Sequence, residues 1–81
     1  LRVLFIQEDI ADKILTMLKG AMAELKVGDP GLLETDIGPV IDADAQAMLI
    51  KHAQRMSQEA QLLYEVPLSK ETSKGTFFAP R

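Results

Sequence analysis

Few residue types in this chain could do chemistry. His52 is the single histidine, and there is no cysteine. A zinc site needs three or four ligands, and no partner stands at ligand spacing beside His52. General acid–base work would need a carboxylate to orient the imidazole. His52 falls between Leu49 and Met56 on an apolar stripe, which reads as a structural, partly buried histidine. Asp42 and Asp44 could hold a cation as a pair, but no calcium-loop spacing follows them. Helix-end physics accounts for both, as an N-cap and a first-turn acid. Ser57, Ser69 and Ser73 lack the strand–turn–helix setting of a nucleophilic serine. Gly28, Gly31 and Gly38 match neither the Walker pattern nor the dinucleotide fingerprint, and read as turns. No catalytic residue and no metal ligand is expected in this span.

The elements that carry these residues follow from periodicity. Val3-Leu4-Phe5-Ile6 is a continuous apolar run, so residues 1–7 read as a strand buried on both faces. Glu8-Asp9 offers a helix start. Ile10, Ile14, Leu18, Ala21, Met22 and Leu25 then recur at helical spacing and predict a helix over residues 10–25. Residues 26–41 read as a loop. Gly28-Asp29-Pro30-Gly31 is turn chemistry, with Pro30 fixing φ and Gly31 supplying a positive φ. Gly38-Pro39 is a second breaker. Asp42 caps a helix over residues 43–59, striped by Ala45, Met48, Leu49, His52, Ala53, Met56 and Ala60. Leu62–Val66 reads as a strand ended by Pro67, residues 68–74 as polar loop, and Thr76–Ala79 as a last short strand. Met17, Met22, Met48 and Met56 are expected in the core. The fold class is α/β, in the order strand, helix, loop, helix, strand, strand.

Composition sets limits. The chain has 81 residues, 47% hydrophobic and 26% charged, which is globular rather than disordered. One domain at most is expected, and a marginal one, because a chain this short buries only about 60% of its unfolded surface. No apolar run is long enough to span a membrane. Without cysteine, a disulfide scaffold, a zinc ribbon and a cysteine nucleophile within the span are excluded. A net charge of −3 disfavours a nucleic-acid groove. Both ends read as cut. The chain opens inside the apolar run Leu1–Ile6 and closes just after Gly75–Ala79, where natural termini are usually polar and frayed.

Longer strings carry a resemblance. Leu1-Arg2-Val3-Leu4-Phe5-Ile6-Gln7-Glu8-Asp9-Ile10-Ala11-Asp12 resembles the segment that follows the catalytic cysteine of aldehyde dehydrogenases. Lys26-Val27-Gly28-Asp29-Pro30, Thr35-Asp36-Ile37-Gly38-Pro39-Val40-Ile41-Asp42 and Gly75-Thr76-Phe77-Phe78-Ala79-Pro80 resemble three further motifs of that superfamily, in its order. Met17–Leu25, Gly38–Ala43 and Lys51–Met56 are similar to the proline utilisation A branch, bifunctional bacterial enzymes. One of their domains is a flavin-dependent proline dehydrogenase. The other is an L-glutamate γ-semialdehyde (1-pyrroline-5-carboxylate) dehydrogenase, to which residues 1–81 would belong as part of the catalytic domain.

The resemblance implies a parent enzyme in which a cysteine thiolate attacks the aldehyde, hydride passes to NAD, and water hydrolyses the thioester. It places the cysteine just before Leu1, and the general base and oxyanion-hole asparagine further upstream. The glutamate that holds the nicotinamide ribose would follow Arg81. Some aldehyde dehydrogenases place cofactor contacts early in the second helix. Here that region reads Ala45, Gln46, Ala47, Met48, and Gln46 is its one weak candidate. Arg81 stands where the family usually has threonine.

NAD is therefore implied for the parent domain, and FAD for a fused proline dehydrogenase domain. Neither is expected on this segment alone. The implied partner is the rest of the enzyme, with no nucleic acid and no membrane insertion by this segment. The implied location is the cytoplasm, with the inner membrane as a peripheral site for the parent. Two other readings stay open. One is a free-standing α/β interaction module with a closed core. The other is a remnant that survives by self-association or by swapping elements between copies.

Overall fold

A computed structural model describes residues 3–81. Its order comes from two helices, a short 3-10 turn and the irregular chain that ties them.

The first helix, α1, runs Glu8–Ala23. It starts earlier than the apolar spacing predicts, because Glu8 and Asp9 sit inside its first turn, where the helix dipole favours acids. It also stops earlier. The amides of Glu24 and Leu25 turn back to the carbonyls of Ala21 and Met22, the tightened last turn common at helix ends. The second helix, α2, runs Ala43–Glu59, as the sequence predicts. Asp42 caps it: the carboxylate accepts the Ala45 amide at 2.7 Å.

The strands of the expected order do not form among the described residues. The only ladder contact there is an isolated parallel bridge between Val27 and Ile37, inside the stretch read as plain loop. Leu1 and Arg2, the start of the first expected strand, lie outside the described residues. Val3–Gln7, Leu62–Val66 and Thr76–Ala79 belong to no helix and no ladder. A strand exists only when a neighbour takes its backbone donors and acceptors, and periodicity is silent on that neighbour. The polar loop after Pro67 instead winds into a 3-10 turn, Lys70–Lys74. Thr72 is buried within it, and its hydroxyl donates to the Ser69 carbonyl at 2.6 Å.

The core is very small. Among the described residues, the buried apolar side chains are Val66 and Ala79. They are brought together where the Val66 amide donates to the Pro80 carbonyl at 2.9 Å. Neither α1 nor α2 has a buried residue, and the two helices do not pack against each other. Two of the four methionines read as core are exposed, Met17 at 75% and Met48 at 66%. Phe5, placed by its pattern in a strand covered on both faces, is 92% exposed. Their stripes are apolar as expected, but among the described residues these three side chains stay largely uncovered.

The chain's dimensions agree. Its radius of gyration is 14.2 Å, against about 12 Å for a compact domain of this length. Its accessible surface is 6912 Å², against about 4,800 Å² for a compact protein of this mass. No helix among the described residues is long and apolar enough to cross a membrane.

Candidate functional site: a junction of three motifs

The second, third and fourth motifs meet in space. Lys26–Pro30 and Thr35–Asp42 are held together by the Val27–Ile37 bridge. The Gly28 amide donates to the Ile37 carbonyl at 3.0 Å, and the amides of Asp36 and Ile37 both donate to the Lys26 carbonyl. The Asp36 carboxylate accepts the Lys26 amide at 2.9 Å. Gly38 packs against Pro30, and a Cβ built on it would lie 3.4 Å from the proline Cβ. The turn forms one residue later than Gly28–Gly31, over Asp29–Leu32, with the Leu32 amide on the Asp29 carbonyl and the Gly31 amide on the Asp29 carboxylate at 2.8 Å. Contrary to the sequence expectation, no described glycine adopts a positive φ. A turn of type I keeps both central φ values negative, and the Asp29 side chain supplies the extra bond.

The third motif then grips the fourth. The Val40 amide donates to the Thr76 carbonyl at 2.8 Å, and the Thr76 hydroxyl donates back to the Val40 carbonyl at 2.7 Å. Six residues on, in the first turn of α2, the half-buried Gln46 donates its amide to the Phe77 carbonyl at 2.7 Å. Gln46, the weak cofactor candidate, thus spends a donor on the chain's own backbone.

Beyond the junction, Arg81 pairs with Glu65 at 3.1 Å and stacks 4.5 Å over the Phe78 ring. The position that departs from the family pattern thereby joins the two extended segments. On the same side, Leu49, His52, Ala53 and Met56 of α2 face Phe78 and Pro80 across an apolar groove of about 500 Å³. His52 is an exposed member of its wall.

Chemically, this arrangement positions backbone rather than reacting groups. Among the described residues no three His, Asp or Glu side chains gather to hold a metal. Asp42 is committed to its cap, and Asp44 sits in the first turn of α2. Lys26 forms an exposed pair with Glu34 at 2.9 Å. The hydrogen bond to Glu34, with its charge, raises the Lys26 pKa above the ordinary 10.5. No glycine-rich loop opens either helix, since α1 follows Gln7 and α2 follows Ile41-Asp42, and the Gln46 side-chain amide donates to the Phe77 carbonyl. The hydroxyl–carbonyl and amide–carbonyl clasps could not have been found by motif spacing, because Gln46 and Phe77 are 31 positions apart.

The sequence pattern of the aldehyde dehydrogenase family matches residues 1–81. The "Bifunctional protein PutA" of Klebsiella aerogenes is 46% identical over 85 residues, covering 99% of this chain and 6% of that protein. A "1-pyrroline-5-carboxylate dehydrogenase" of Geobacillus sp. (strain WCH70) is 33% identical over 75 residues, covering 93% of this chain and 14% of that protein. Among solved structures, a Bradyrhizobium japonicum proline utilization A mutant superposes with a TM-score of 0.89 at 46% identity, over 99% of this chain and 8% of that one. The chain thus spans about 6% of the length of the PutA relatives it matches.

Proposed function

Because the chain belongs to the aldehyde dehydrogenase family, we propose that it is a section of an NAD-dependent dehydrogenase that oxidises L-glutamate γ-semialdehyde to glutamate in proline catabolism. The observation that carries this is the joint match to PutA, 46% in sequence and 0.89 in TM-score over 99% of the chain. In this reading the 81 residues are scaffold. They contribute the clasped junction and two helices with open apolar faces, and the nucleophile, the base and the NAD-gripping groups come from outside residues 1–81.

The open faces favour this over a self-sufficient interaction module, which would need a closed core. The word bifunctional in the PutA names fits a second fused activity, which the resemblance assigns to a proline dehydrogenase that would use FAD. NAD would supply hydride acceptance when bound to the whole enzyme.

The test is an assay of the whole gene product beside the 81-residue chain. NAD reduction with glutamate semialdehyde by the whole protein, and none by the 81 residues, is the expected result. A whole protein that binds NAD yet leaves this aldehyde unoxidised would overturn the substrate reading. Reduction of NAD by the 81 residues, at confirmed mass, would overturn the scaffold reading. Proline-dependent reduction of a dye by the same whole protein tests the fusion.

A further inference from the structure

We draw no further inference here: the strongest candidate, the apolar groove between α2 and Phe78–Pro80, is an unpartnered face on a chain that spans only a small share of its PutA relatives, and nothing in the structure shows what covers it.

Discussion

At the scale of single residues, two side chains make separable predictions. Gln46 holds Phe77 by one half-buried amide bond. Gln46→Ala should lower the stability of the purified chain by about 1 kcal/mol, read from the shift in urea midpoint. Gln46→Glu should cost more at neutral pH, because an ionised carboxylate faces the Phe77 carbonyl and cannot donate. The carboxyl's pKa is then raised in the folded chain, and the deficit should shrink as falling pH protonates it. Lys26 is the opposite case, exposed and paired with Glu34. Its folded pKa is raised, so whatever stability the pair adds is complete below 10.5 and lost as pH rises through the folded value. An NMR titration should show Lys26 ionising above 10.5, and Glu34→Gln should bring it back toward that value. No change in stability from this pair is expected between pH 6 and 9, where Lys26 stays charged.

At the scale of elements, the helices were legible and the rest was not. The 3.6-residue period and the Asp42 cap located α2, because both signals are local. The ends of α1 shifted because acids in the first turn are helical residues, not a preface. Leu62–Val66 and Thr76–Ala79 have strand-like composition, yet neither forms a strand. What could not be read was pairing, since it depends on which distant backbone arrives alongside. The Val27–Ile37 bridge and the Lys70–Lys74 turn are the converse, order in segments whose patterns announce only polarity and breaks. Two glycines test the local arguments. A Cβ on Gly20, inside α1, meets nothing within 4 Å. Gly20→Ala should therefore stabilise α1 by up to about 1 kcal/mol, seen as slower amide exchange there. A Cβ on Gly75 would fall 2.9 Å from the Phe77 ring. Gly75→Ala should displace that ring and weaken the Gln46 clasp, visible as changed chemical shifts at both residues.

At the scale of the whole molecule, the candidate site was legible as four motifs and illegible as an assembly. Their order named a family, yet nothing in the spacing said that the second, third and fourth would meet through Val27–Ile37, Val40–Thr76 and Gln46–Phe77. Nor did composition reveal the open surface. An apolar content of 47% suggests a core, whereas the structure buries Val66 and Ala79 and leaves Leu33, Ile41 and Phe5 almost fully exposed. The same absence of contact between α1 and α2 bears on how damage spreads. Helices that share no side chains cannot relay strain, so each should open to solvent on its own schedule. A change such as Asp42→Ala, worth about 1 kcal/mol at the α2 cap, should hasten deuterium uptake along α2 and leave the α1 amides untouched. Mutational harm in such a chain is local by construction of its parts: two lesions in different helices add, and neither repairs nor aggravates the other.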